Sequence, residues 1–435
     1  MYHFIGIKGA GMSALAVIMK QLGFEVQGSD VDKHYFTEEE LIKNNIPIYS
    51  YNENNITKTQ VIIKGLSITE DNEELKKAKE LKLEIINYDE MVGILTKKFK
   101  TICIAGCHGK TTTTAMTAHV LNRITGINYL IGDGTGYAKK ENEYFALESC
   151  EYKRHFLSYQ PYYALILNID LDHVDYFKNI DDVIDAYNEF ANSSTKMVIA
   201  NGDDEHVKKM KINKKIAYFG LNENNNIRAI NIEYDKAGTK FDVIIDKLEY
   251  GHFELPIYGN HQLMDALGVI GVCYYENIPA IEVSKQFESF QGAKRRFTET
   301  IVEDNIIIDD YAHHPNEIKS TINAIKQKYP NKFIVSIFQP HTFSRTKEFA
   351  EEIAKELSKT DISYVLSIHP AREKQEEYPD VTNNTIIKLA SNIHPLTIND
   401  AKILNQYKDA VFIFMSPNDI SQLEHDLINL KETEK

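Results

Sequence analysis

Apolar positions along this chain recur in two alternating rhythms, short apolar runs and stretches in which apolar residues fall three and four apart. His3 to Ile7 reads as a strand, and Leu15, Ile18, Met19 and Leu22 follow at helical spacing, with Gly23 placed to end the helix. Phe24 to Gly28, VIIKG at 61–65 and LEII at 83–86 predict further strands. The charged run EDNEELKKAKEL between the last two predicts a helix whose charges face water. In the middle of the chain Thr101 to Ala105, Tyr144 to Leu147 and Tyr163 to Ile169 read as strands, and a helix runs on from Lys110 through Met116 and Val120. Alternating β-like stretches such as FDVIID fill 214–255, and HQLMDALGVIGVCYY predicts a core helix. Beyond it, NIIIDDYAHHP, KFIVSIFQPHTFSRT, SYVLSIHPAREK and AVFIFMSPND each join an apolar strand to a polar loop, with helical patterns between them. Strand alternating with helix throughout predicts an α/β fold with mainly parallel sheets.

At 435 residues the chain exceeds one ordinary domain, and a prior of about 150 residues per domain suggests roughly three. The breaks in pattern place them at 1–97, 98–292 and 293–435, the last opening near the basic linker FQGAKRRF.

One stretch, TICIAGCHGKTTTT, names its own chemistry. A buried strand runs into Gly106, Cys107, His108, Gly109, Lys110, Thr111 and Thr112, and a helix starts there. That order aims backbone N–H groups and the positive end of a helix dipole at one point, which suits phosphate. Gly106 and Gly109 allow close approach, Lys110 supplies charge, and the Thr111 hydroxyl can ligate Mg²⁺. Two residues separate these glycines, where the common phosphate loop has four. A ligand-free glycine turn is the bland alternative, and the GK-threonine pair after an apolar strand outweighs it.

The N-terminal glycines run Gly6, Gly9, Gly11, an order that differs from the dinucleotide fingerprint and favours a nucleotide diphosphate over NAD. Asp30 stands where an acidic ribose ligand is expected. Two other strands end in Glu148, Ser149, Cys150, Glu151 and in DLDHVD, so Glu151, Asp172 and His173 can share a site with Lys110 and Thr111. Asp170 and Asp175 read as caps and turns. The C-terminal loops carry Asp309, Asp310, His313, His314, His341, Arg345, His369 and Arg372, a composition for a polar ligand and not a compact zinc set.

The balance of 63 acidic to 49 basic residues, a formal net charge of −14, argues against a surface that binds nucleic acid. Four cysteines without CxxC spacing read as free thiols in a reducing compartment. With neither a leader pattern nor a long apolar run, the sequence predicts a cytoplasmic protein with no membrane insertion.

The stretches HFIGIKGAGMSALA, AGCHGKTTTT, ESCEYKRHFL, NIDLDHVDYF, KRRF, DDYAHHP, QPHTFSRT and HPAREK, in this order, resemble the Mur ligases, most closely those that join L-alanine to UDP-N-acetylmuramate. The resemblance implies an N-terminal Rossmann-like domain for the UDP-sugar, a central P-loop ATPase-like domain, and a C-terminal Rossmann-like domain for the amino acid. It implies ATP and Mg²⁺ as cofactors, an acyl-phosphate intermediate, and a role in peptidoglycan precursor synthesis; a monomer or weak homodimer is the expected state. Position by position, it implies Lys110 on the β- and γ-phosphates, Thr111 and Glu151 on a first Mg²⁺, and His173 near a second metal. It further implies Arg296 on nucleotide phosphate, Asp310 on the ATP ribose, His341 and Arg345 on the amino-acid carboxylate, and Gly9, Gly11 and Met12 under the UDP diphosphate.

Three departures stand out. Cys107 replaces a usual threonine, Gln262 and Asp265 replace asparagines that contact adenine, and FMSPNDI replaces a glycine-containing loop, with Pro417 removing a backbone donor. They keep two rival readings in view, a sibling ligase that adds a peptide or another amino acid, and a non-catalytic UDP-sugar or nucleotide sensor. An NAD-dependent enzyme is disfavoured by the glycine order.

Overall fold

The computed structural model describes residues 1–293, 296–371 and 373–433. Lys294 and Arg295 of the KRRF motif, and the loop cation Arg372, lie outside the described residues.

Three sheets organise the chain. In the N-terminal one, strands β1 (Tyr2–Ile5), β2 (Val26–Asp30), β3 (Ile48–Ser50), β4 (Val61–Lys64) and β5 (Ile85–Asn87) lie in the order β3-β2-β1-β4-β5. All neighbours are parallel. This is the doubly wound order, whose strand ends part between β1 and β4 and leave a crevice there. The helix Ala10–Gln21 that follows β1 is buried from Met12 to Met19. It stops because Gly23 takes φ +93°, letting Phe24 N–H reach back to Met19 O at 3.0 Å.

The second sheet adds β6 (Lys100–Ala105), β7 (Ile127–Leu130), β8 (Gly136–Tyr137), β9 (Tyr144–Glu148), β10 (Tyr163–Ile166), β11 (Met197–Asn201), β12 (Ile216–Gly220), β13 (Ile227–Tyr234), β14 (Thr239–Ile245) and β15 (Leu248–Leu255). Their order is β15-β14-β13-β12-β11-β10-β6-β9-β7-β8. Strand β6 therefore lies between β10 and β9, parallel to both. Loops leaving those two neighbours flank whatever follows β6. One cluster of buried residues runs from Phe4 and Leu15 to Leu147 and Val198, so the first two sheets share a core.

The third sheet holds β16 (Thr298–Val302), β17 (Asn305–Asp310), β18 (Phe333–Phe338), β19 (Ile362–Val365), β20 (Ile393–Pro395) and β21 (Ala410–Met415), in the order β16-β17-β21-β18-β19-β20. Only the β16–β17 pair is antiparallel among the pairings of this sheet. Separate apolar clusters cover its two faces. By contact density the chain forms two compact units, Met1–Asn231 with Phe241–Phe253 and Met264–Phe290, and Ile232–Lys240 with Glu254–Leu263 and Gln291–Lys435.

The charged helix keeps its expected solvated face at Glu73, Lys76, Lys79 and Glu80, with one departure. Within Glu73–Glu80, Glu74 is fully buried and pairs with His3 Nε2 at 3.3 Å. It also accepts from Ser29 Oγ, from Asn55 Nδ2 at 2.7 Å and from Asn52 N–H at 3.1 Å. The expected strand over Tyr163 to Ile169 ends at Ile166, because Asn168 turns its amide into the neighbouring loop. No helix among the described residues is long and apolar enough to cross a membrane.

Candidate active site

The phosphate loop is built by its neighbours. Gly109 caps the helix Lys110–Ile124 at φ +82°, and an added Cβ would lie 2.6 Å from Asp265 Oδ1, so any side chain there is strained. Asn168 pins the loop twice: its Oδ1 accepts from His108 N–H and its Nδ2 donates to His108 O, each at 2.9 Å. The Cys107 thiol donates to Asp170 O at 3.1 Å, and burial, followed by the charge of Glu151, pushes it well above the ordinary thiol range. Cys107 is therefore a neutral strut in this loop. The threonine run serves the helix, since Thr113, Thr114 and Thr117 each donate to the carbonyl four residues back. Thr112 is buried beside them.

Lys110 folds over the loop. Its Nζ donates to Gly106 O at 2.5 Å and meets Glu151 Oε2 at 3.0 Å. Burial opposes its charge, yet Glu151, which is 1% exposed, holds the ammonium above its ordinary range. Glu151 also faces His173 Nε2 at 3.7 Å. His173 adopts φ +51° and lies against the Tyr152 ring with centroids 4.6 Å apart, so its direction is fixed by strained backbone and an aromatic wall. Asp172 accepts from the His173 N–H at 2.7 Å. Asp170 faces His108 at 3.4 Å and Asp175 accepts from Tyr152 OH at 2.8 Å.

The Thr111 hydroxyl meets a further carboxylate at this sheet edge. It donates to Glu148 Oε1 at 3.1 Å, while Glu148 Oε2 accepts from Gly132 N–H at 2.7 Å. Glu148 was not among the expected site residues, although its place at the end of β9, beside β6, is the signal that could have found it. Mg²⁺ takes hard oxygen ligands in an octahedron, and a threonine hydroxyl 3.1 Å from a carboxylate oxygen fits that donor set. Thr111 and Glu148 would hold such an ion, while Glu151 meets Lys110 and His173.

At the N-terminal crevice Gly9 caps the helix Ala10–Gln21, and Gly11 is pressed so closely on Tyr88 that an added Cβ would lie 2.7 Å from its hydroxyl. Met12 points into the core, 5% exposed. Asp30 accepts from the Lys8 and Val31 backbone N–H groups, both at 2.7 Å, and so braces the glycine turn.

In the C-terminal unit the polar residues collect after β17, β18, β19 and β21. Asp310 is buried and accepts from Phe297 N–H and Ala312 N–H at 2.9 Å and from Thr321 Oγ1 at 3.1 Å. Burial raises its pKa against the pull of Arg296. The Arg296 guanidinium lies over the Tyr311 ring at 4.9 Å and reaches Glu317 at 3.4 Å. His341 Nδ1 lies 3.1 Å from Arg345 Nη1, and its ring stacks on that of His369 with centroids 5.8 Å apart. Glu373, another residue missed from sequence, accepts from Phe343 N–H at 2.6 Å and Ser344 N–H at 3.0 Å, and so holds the helix start that carries Arg345. The loop at Ser416 closes despite Pro417: Ser416 Oγ donates to Gln339 Oε1 at 3.1 Å and accepts from Asn418 N–H at 3.0 Å.

A strand, glycine loop and helix carrying lysine and threonine beside two carboxylates, in a chain of α/β sheets that three family models match, defines an ATP-dependent ligase of the kind that activates a carboxylate by phosphoryl transfer. Family models match in succession: the Mur ligase family catalytic domain at 1–100, the Mur ligase middle domain at 104–273, and the Mur ligase glutamate ligase domain at 295–413. The chain belongs to the Mur ligase family, whose members form amide bonds in peptidoglycan synthesis with ATP and Mg²⁺. Among solved structures it is similar to the UDP-N-acetylmuramate-alanine ligase MurC of Thermotoga maritima, with 25% identity, a TM-score of 0.81, and coverage of 100% of this chain and 99% of that one. A murein peptide ligase of Psychrobacter arcticus shares the fold at 20% identity and TM-score 0.72, covering 100% of this chain and 99% of that one. The MurF ligase of Thermotoga maritima, solved with ADP, does so at 17% identity and TM-score 0.65, covering 97% and 99%.

Proposed function

We propose that this ligase joins L-alanine to the lactyl carboxylate of UDP-N-acetylmuramate at the expense of ATP, in the cytoplasm. The observation that carries the reading is the full-length likeness to the alanine-adding ligase, taken with a phosphate loop in which Lys110 meets Glu151 and Thr111 meets Glu148. The N-terminal crevice, braced by Asp30, takes the diphosphate over Gly9 and Gly11. The loop at His341 and Arg345 takes the carboxylate of the amino acid.

In the first step a lactyl oxygen attacks the γ-phosphorus, the bond to the β-bridging oxygen breaks, and ADP leaves. In the second the alanine nitrogen attacks the acyl carbon, phosphate departs with the C–O electron pair, and the amine gives up a proton. Lys110, kept charged by Glu151, neutralises phosphate oxygens, and the backbone N–H groups of the loop orient them. Bound Mg²⁺ supplies further charge neutralisation where Thr111 and Glu148 present oxygen. His173, fixed by Tyr152, orients Glu151 and borders the place where the attacking carboxylate arrives. Arg296 and Asp310 are proposed for the nucleotide phosphate and ribose.

The test is phosphate release from Mg·ATP with UDP-N-acetylmuramate, comparing L-alanine, glycine, L-serine and a γ-linked tripeptide. Release that needs both the sugar nucleotide and L-alanine supports the reading. Release with the tripeptide alone transfers the chain to the peptide-adding ligases, and sugar-nucleotide binding without any release makes it a sensor.

A further inference from the structure

The loop Ile131–Thr135 belongs to neither of the glycine motifs singled out from sequence, yet it touches both sites of the first unit. At one end Gly132 N–H donates to Glu148 Oε2 at 2.7 Å, and a Cβ at Gly132 would lie 2.4 Å from Glu148 Oε1. The same carboxylate receives the Thr111 hydroxyl at 3.1 Å. At the other end Gly134, at φ +87°, faces the N-terminal glycine loop. A Cβ there would lie 3.2 Å from Thr37 Cγ2 and 3.8 Å from Ala10 Cα. Thr37 in turn donates from Oγ1 to Lys8 O at 2.5 Å.

The loop is also closed on itself. Ile131 N–H donates to Thr135 O at 2.9 Å, Gly134 N–H to Ile131 O at 3.2 Å, and Thr135 N–H to Asp133 Oδ1 at 2.9 Å. Two turns held by three internal bonds leave it few ways to absorb a displacement, so a push at one end is delivered to the other. Just beyond, Gly136 lies so close to the helix after β1 that an added Cβ would be 2.3 Å from Ala14 O. The loop is thus anchored to that helix as well.

We infer that Gly132 and Gly134 are positioning residues, through which occupancy of the sugar-nucleotide crevice sets the Glu148 carboxylate for the phosphoryl site. The inference rests on the proposed sugar-nucleotide substrate. A diphosphate settling over Lys8 to Ala10 orders the Thr37 contact; the closed loop then holds Gly132 N–H on Glu148 Oε2 and leaves Oε1 to Thr111. Seating of one ligand is thereby linked to affinity for the other, and the linkage is reciprocal.

Calorimetry reads this directly. The Kd of Mg²⁺ with a non-hydrolysable ATP analogue is measured with and without saturating UDP-N-acetylmuramate, in wild type, Gly134→Ala and Thr37→Ala. Wild type should tighten about fivefold or more when the sugar nucleotide is present, the usual lower bound for coupled sites. In both variants that ratio should fall to about one, while the Kd for the analogue alone stays within about twofold. A loop that matters only for stability would lower the melting point and leave the ratio intact. Thr37→Ala carries the test if Gly134→Ala does not fold. The inference is overturned if the variants keep the wild-type ratio, or if wild type shows none. Failure of wild type to bind the sugar nucleotide at all overturns the proposed substrate and this inference together, whereas binding with an undiminished ratio in the variants sinks the inference alone.

Discussion

Replacing Gly109 by alanine separates two costs that the structure places at one atom. The first is conformational: the residue sits at φ +82° and ψ −9°, where a Cβ costs about 1–2 kcal/mol. The second is steric, because the new carbon would lie 2.6 Å from Asp265 Oδ1 and 3.1 Å from Oδ2, and Asp265 is only 5% exposed. Forcing such a contact typically costs about 1–3 kcal/mol. Together they predict a loss of roughly 2–5 kcal/mol, seen as a fall in melting temperature of roughly 6–15 °C at about 3 °C per kcal/mol. Relief of the contact displaces either the helix start or Asp265, so ligation should drop by about a hundredfold, the usual result of a misplacement near 1 Å. Adding Asp265→Gly removes the obstacle and should restore the steric part of the stability, leaving the conformational part. Thermal unfolding and phosphate-release assays on the single and double variants check both. A Gly109→Ala protein that melts within about 1 °C of wild type and ligates normally would refute the argument. A double variant no more stable than the single one would clear Asp265 of any part in it.

Glu74→Ala should destabilise the N-terminal sheet by about 3 kcal/mol, since it strands His3 and Ser29 in the interior and releases Asn55, and a lowered urea midpoint checks this. His261 has its pKa pushed down to about 4, by burial first and then by the charge of Arg296. The unfolded chain therefore binds its proton first, and stability present above about pH 6.5 is lost as the pH falls toward 4. His261→Gln should flatten that slope in melts taken across the same range. Arg345→Lys should raise KM for the amino acid about tenfold with a smaller change in kcat, because the planar fork beside His341 is lost while the charge remains.

The phosphate loop was legible because each of its residues has a local reason to be there. The parallel α/β layers were legible as well, since strand and helix periods alternate without interruption. Which acid meets Thr111 was not. Glu148 and Glu151 stand three residues apart at a strand end, and the turn between them and the following Lys153 and Arg154, both at positive φ, decides where each points. Glu74 was hidden for a related reason: a glutamate in a run of charges looks solvated until residues far along the chain, His3 and Asn52, supply its partners. The contacts of Gly132 and Gly134 likewise depend on neighbours that no local pattern reveals.

The second compact unit does not begin where its last sheet begins. It also takes in Ile232–Lys240 and Glu254–Leu263, and these are tied to the helix Pro315–Lys328. Gly259 N–H donates to Gln327 Oε1 at 2.7 Å, Gln327 Nε2 donates to Gly238 O at 3.0 Å, and Tyr258 stacks on Phe297 with centroids 5.8 Å apart. A gene cut at residue 293 would leave those partners behind. Exchange of C-terminal domains between related ligases, whether by natural recombination or at the bench, would therefore need to carry the residues 232–240 and 254–263 along with the swapped segment. A chimera joined at the obvious linker would inherit a helix face made for another protein's strands.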